Sequence, residues 1–109
     1  MAIREQDLEV IHAWAASHVP VEVADRAHVH AVVDGHRVTI FEGHRRTPES
    51  QWQDTPVARL RFTAVSDLWS LWWPDQNREF HAYEPCAPAE RVSTILAAID
   101  ADEHSLFWG

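Results

Sequence analysis

Val57-Ala-Arg-Leu-Arg-Phe-Thr63, Ala64-Val-Ser-Asp67 and Leu68-Trp-Ser-Leu-Trp-Trp73 form one continuous run, and it decides the fold. Ala58, Leu60 and Phe62 alternate with Val57, Arg59, Arg61 and Thr63. After the polar break, Trp69, Leu71 and Trp73 alternate with Leu68, Ser70 and Trp72. A period of two on both sides of a short break is the pattern of a β-hairpin with one buried face. Arg59, Arg61 and Trp72 then share the face opposite to Leu60, Phe62, Trp69 and Leu71.

Upstream lies a second alternating pair, Ala27-His-Val-His-Ala-Val-Val33 and His36-Arg-Val-Thr-Ile-Phe-Glu42, separated by Asp34-Gly35. Asp-Gly between apolar runs predicts a tight hairpin, because its turn needs positive φ. With Asp34-Gly35 as the two-residue loop, Val33 faces His36, Ala31 faces Val38 and Val29 faces Ile40. The other face carries His28, His30, Val32, Arg37, Thr39 and Phe41. Residues 43–56 are polar and contain two prolines, and are expected to form a long loop pinned by Trp52. Pro74-Asp-Gln-Asn-Arg78 reads as a turn, and Glu79-Phe-His-Ala-Tyr-Glu84 as a fifth strand.

Helices flank the strands. Leu8, Ile11, Ala15 and Val19 give a helical stripe over residues 4–18, with acidic residues early and Pro20 as the stop. Val92, Ile95, Leu96 and Ile99 give another over residues 88–101, with Pro88 in the first turn. The expected fold is α+β: a two-layer, five-stranded antiparallel meander, with an N-terminal and a C-terminal helix on one face. The 109 residues are expected to form a single domain, 1–109. The expected core is Leu8, Ile11, Val29, Ala31, Val38, Ile40, Leu60, Phe62, Trp69, Leu71, Val92, Ile95 and Ile99.

Net charge is −8, and all nine basic residues are Arg. That balance argues against binding duplex DNA over the whole surface. Cys86 is the single cysteine, so an intrachain disulfide is impossible. The first residues carry charges where a signal peptide needs an apolar run, and no segment approaches membrane-spanning length. A cytoplasmic protein without a membrane partner is the expectation.

Several short motifs together resemble a family of small bacterial proteins, the domain of unknown function number 3024. They are Val38-Thr-Ile-Phe-Glu42, an Arg/Pro-containing loop, Trp52 to Pro56, Val57-Ala-Arg-Leu-Arg-Phe62, Trp69-Ser-Leu-Trp-Trp73, Phe80-His-Ala-Tyr83, Asp102 and Phe107-Trp-Gly109. The likeness covers roughly residues 25–109. The chain departs from the family pattern at Gly43-His44, which precedes Arg45-Arg46 and Pro48, and at Asn77-Arg78, where the family tends to have Asn-Gly. The resemblance implies an architecture and no activity.

Three places can carry chemistry. The outer sheet face gathers Arg37, Phe41, Arg59, Arg61 and Trp72, with Arg45 and Arg46 in the neighbouring loop. Arginine beside exposed rings suits single-stranded nucleic acid or phosphate, the guanidinium meeting phosphate and the ring stacking a base. The plainer alternative is that these arginines pair with some of the seventeen acidic residues. Glu42 falls by parity on the apolar face, so it needs a partner among Arg45, Arg46 and Arg61. It would serve as a general base or, more plainly, as a loop anchor. His28 and His30 share a strand face and can chelate. A metal needs a third and fourth ligand, for which His81 or Glu79 are the candidates, and no dense ligand cluster is visible. No metal and no cofactor are therefore expected.

No Gly-x-Ser-x-Gly and no glycine-rich phosphate loop is present. The leading expectation is a non-enzymatic binding or interaction module using the outer face and the 43–56 loop. Its partner would be a protein or a second copy, with single-stranded nucleic acid possible. The alternatives are a structural homodimer joined through Trp72, Phe41 and Trp108, and a small enzyme acting on a phosphorylated substrate through Glu42 with Arg45 and Arg59 or Arg61.

Overall fold

A computed structural model describes residues 2–108, so Gly109, the end of the Phe107-Trp-Gly109 stretch, lies outside the described residues. The elements run α1 (Glu5–Ala16), a 3-10 turn (Val21–Val23), β1 (Ala27–Asp34), β2 (Arg37–His44), β3 (Gln53–Thr63), β4 (Leu68–Pro74), β5 (Phe80–Ala82) and α2 (Val92–Ala101). The strands form one antiparallel sheet in the order β1-β2-β3-β4-β5. α1 packs on β1, α2 packs on β4, and the helices touch each other, so both cover the same face. The α+β meander expected from the alternating patterns is the fold observed. Among the described residues no helix is long and apolar enough to cross a membrane.

The core lies between the sheet and the helices. Ile11, Val38, Ile40, Leu60, Trp69, Ile95 and Ile99 are wholly buried, and Phe62, Leu71 and Val92 nearly so. Leu8, Val29 and Ala31 are only partly buried and line its edge. Ile3, Val57, Tyr83, Leu96 and Phe107 join it as well. The Trp69 indole N–H donates to Asp7 Oδ2 at 3.2 Å, which satisfies the buried ring's polar atom from the first turn of α1.

Five expectations are corrected. In the first hairpin Val33 faces Val38, Ala31 faces Ile40 and Val29 faces Glu42, two residues out from the sequence reading. The loop is Gly35-His36, with Asp34 opposite Arg37. Gly35 alone has positive φ there, 62°, which fits a turn demanding glycine only at its first central position. A slip of two keeps every side chain on its expected face.

The long loop is shorter than expected. The β2–β3 ladder continues past Phe41 through Gly43↔Asp54 to His44↔Gln53, leaving only residues 45–52 as the connection. A register shift between Ile40 and Phe41 lets Pro56 sit opposite Phe41 and leaves Val57 as the extra residue. The bulge absorbs a proline that would otherwise break the pairing.

The last strand covers only Phe80–Ala82 rather than 79–84. α2 begins at Val92, not at Pro88, because Ala89 exchanges two backbone hydrogen bonds with Trp69, at 2.7 and 2.9 Å. That bridge holds the chain extended along β4 beyond Pro88. α1 likewise ends at Ala16, short of residue 18.

Candidate functional site

The outer face, away from the helices, has two chemically distinct ends. At the β1–β2 turn end, the ladder sets Arg37 directly opposite Arg61, and Arg59 opposite Thr39 and Trp72. Like charges opposite one another destabilise a sheet unless something balances them. Arg37 is balanced by Asp34 at 3.1 Å. Among the described residues neither Arg59 nor Arg61 has a carboxylate within ion-pairing distance; the arginines that do are Arg4, Arg26 and Arg37.

Arg59 and Arg61 rest on rings instead. The Arg59 guanidinium lies 3.9 Å from the Phe80 ring centroid, and that of Arg61 lies 5.6 Å from Trp72. Arg59 Nε also donates to Thr39 Oγ1 at 3.1 Å, over a threonine that is itself buried. Burial first, then the neighbouring positive charge of Arg37 and Arg61, push the Arg59 pKa below the usual arginine value. It stays a cation, in a positive local field. Arg37, Arg61, Ser70 and Trp72 help line an open concavity of about 770 Å³, and Arg37, Arg59, Arg61, Trp72 and Phe80 line an adjoining one of about 190 Å³.

At the opposite end of the face stand His28, His30 and Asp54. The two histidines alternate on β1, and Asp54 comes from β3, across β2. The residue of β2 between His28 and Asp54 is Gly43, and a Cβ there would collide with the His28 ring. His28 Nε2 approaches Asp54 Oδ1 at 3.3 Å, and His30 Nε2 lies 3.8 Å from Asp54 Oδ2. The His28 ring stacks on Trp52 at 3.9 Å, and the Arg45 guanidinium lies 4.3 Å from the Trp52 ring. Trp52 thus pins the connection, as its place in a polar stretch suggests.

Glu42 does not meet an arginine. It is bonded to His44, two residues on along β2. Arg45 is committed to Trp52 and to the carbonyl of Asp25, and Arg46 is exposed. Arg61 lies roughly 20 Å along β3 from Thr55, the residue opposite Glu42, at about 3.3 Å of rise per residue. The structure therefore does not gather Glu42, Arg45 and Arg61 into one site. Phe41 stacks on His30 at 5.6 Å, and Trp108 packs against Trp14 and His18 on the helical side. Phe41 and Trp72 share the outer face, and Trp108 lies apart from them against α1. His81, a candidate third metal ligand, bonds to Asp75 on the far side of the sheet from β1.

Asp54, Gly43 and Phe80 were not singled out by the sequence. Asp54 and Gly43 were hidden inside a presumed loop, and the strand alternation that would have placed them is interrupted by Pro56.

Residues 1–109 match the family model described as Domain of unknown function (DUF3024). No curated protein and no solved structure matches the chain. With the match spanning its whole length, the chain belongs to the DUF3024 family.

Proposed function

We propose that this protein is a non-enzymatic binding module whose arginine-rich end of the outer sheet face takes an anionic ligand, the phosphate backbone of a single nucleic-acid strand. One observation carries the reading. Among the described residues Arg59 and Arg61 stand without a carboxylate partner, beside Arg37 and Trp72, on an open concave surface. Guanidinium groups in that state are ready for bidentate contact with phosphate, and Trp72 offers a ring for stacking. Arg59 and Arg61 project from one face about 7 Å apart, close to the spacing of phosphates along an extended strand. The net charge of −8 does not forbid it. At physiological salt the Debye length is about 8 Å, so a phosphate at this face is governed by the nearest guanidinium groups.

The test is titration of a fluorescent single-stranded oligonucleotide at about 50 mM and about 200 mM salt. Binding should weaken with salt, and each of Arg59→Ala and Arg61→Ala should reduce the magnitude of the log-affinity against log-salt slope by roughly 0.7. Absence of binding at the lower salt, or binding untouched by the double variant, removes this reading. The face then passes to a protein partner or a second copy of the chain, which sedimentation of the wild type against the double variant would reveal.

A further inference from the structure

We propose that His28, His30 and Asp54 form a binding site for one divalent transition-metal ion of the zinc type. The site is separate from the arginine end of the same face and does not depend on it. It departs from the expectation of no metal, which rested on the absence of a visible third ligand. Strand pairing supplies that ligand.

The argument begins with space. On β2, between His28 and Asp54, stands Gly43, whose φ is not positive, so no turn geometry demands glycine there. What demands it is the His28 imidazole lying across the strand: a Cβ on Gly43 would collide with that ring and stand 2.7 Å from Asp54 Oδ1. The missing side chain is what lets groups two strands apart meet.

Distance comes next. One ligand atom from each of His28, His30 and Asp54 lies within 4.8 Å of the others. Ligands about 2.1 Å from a tetrahedral ion stand about 3.4 Å apart. The His28–Asp54 separation of 3.3 Å already meets that value, and the His30–Asp54 separation of 3.8 Å is a small side-chain rotation away.

The rings are held in place by stacking, His28 on Trp52 and His30 on Phe41. Little rotamer freedom then remains to be lost on binding. His30 Nδ1 is buried and has no hydrogen-bond partner. The ring's other nitrogen, Nε2, is the one nearer Asp54, so with Nδ1 orphaned no internal hydrogen bond accounts for the ring's position.

The donor set selects the ion. Two neutral imidazoles and one carboxylate suit zinc and neighbouring first-row metals over magnesium or calcium, which prefer oxygen alone. Three protein ligands leave at least one coordination position open for water or an outside donor.

The experiment is isothermal titration of the metal-stripped full chain with zinc, together with cobalt(II) absorption spectra. The wild type should bind one ion. His28→Gln, His30→Gln and Asp54→Asn should each bind roughly tenfold or more weakly. Gly43→Ala, which keeps every ligand and disturbs only their meeting, should weaken binding likewise. His81→Ala, which removes a histidine paired with Asp75 at the opposite edge of the sheet, should bind as the wild type does. Near-UV circular dichroism checks that each variant is folded. The proposal fails if the wild type takes up no ion at millimolar zinc, or if folded ligand variants bind as tightly as the wild type.

Discussion

Trp69 and Trp72 are three residues apart and have opposite fates, because odd and even positions of β4 face opposite sides of the sheet. Trp69 is wholly buried between the sheet and the helices and packs on Phe62 at 5.3 Å. Trp69→Ala should destabilise the fold by about 3–5 kcal/mol. Trp72 is half-buried on the outer face, its indole N–H donating to Ser70 Oγ at 3.0 Å. Its truncation should cost well under half as much. Equal losses in urea melts of the two variants would mean that the two faces are assigned wrongly. Asp102 has a different role. It ends α2 in the left-handed conformation, φ 41°, and its carboxylate accepts the backbone N–H groups of Leu106, Phe107 and Trp108 at 2.8 to 3.0 Å. Those bonds fold the tail back so that Phe107 reaches the core against Tyr83. Asp102→Ala should therefore cost about 2 kcal/mol, measured in the same melts, because charged acceptors make the stronger hydrogen bonds.

At the scale of elements, the β4–β5 turn shows how one side chain substitutes for favourable turn residues. Asp75 Oδ1 accepts the N–H groups of Asn77 and Glu79 at 2.8 and 3.0 Å, and Oδ2 bonds to His81 Nε2 at 2.7 Å. The His81 hydrogen bond, then that from Glu79, holds the Asp75 carboxyl below its ordinary pKa of 3.8. A depressed carboxyl pKa adds stability that is present above the unfolded-state value and lost as pH falls through the folded one. Wild-type stability should thus decline below about pH 4, and Asp75→Asn should flatten that acid limb in melts followed against pH. The same turn places Arg78 at φ 63°, in the left-handed region. Arg78→Gly should raise stability by roughly 0.5–1 kcal/mol, the left-handed strain relieved less the extra entropy glycine loses on folding. The elements legible in the sequence are those with uninterrupted periods: α1, the two long hairpins and the Val92–Ile99 stripe. Less legible were places where a tertiary contact overrides a local signal. Pro56 hid the first residues of β3 behind a bulge, and the Ala89 bridge to Trp69 held the chain extended where Pro88 suggested a helix.

Across the whole molecule, the layering separates two surfaces that the composition averages together. Parity alone placed Arg37, Arg59, Arg61 and Trp72 on one face, and the structure gathers them there. Parity could not pair His28 with Asp54, because that meeting depends on how two strands continue through residues 43–44 and 53–54 and on a glycine between them. Nor could it foresee that Glu42 would find His44 instead of an arginine. The net charge of −8 belongs to the molecule, whereas Arg37, Arg59 and Arg61 share one end of one face. The two should respond to salt with opposite signs. Raising salt from ~50 to ~200 mM screens the self-repulsion of an acidic chain and should raise Tm by a few degrees, since isolated surface ion pairs contribute little to oppose it. The same change should weaken oligonucleotide binding at the arginine face, because bound counterions are released less favourably from the strand. Measured on one preparation, a rising Tm with falling affinity supports a local cationic site on an anionic protein. Affinity that rises with salt would mean that the ligand meets the face through its rings, and Arg59→Ala would then leave binding intact where Trp72→Ala abolishes it.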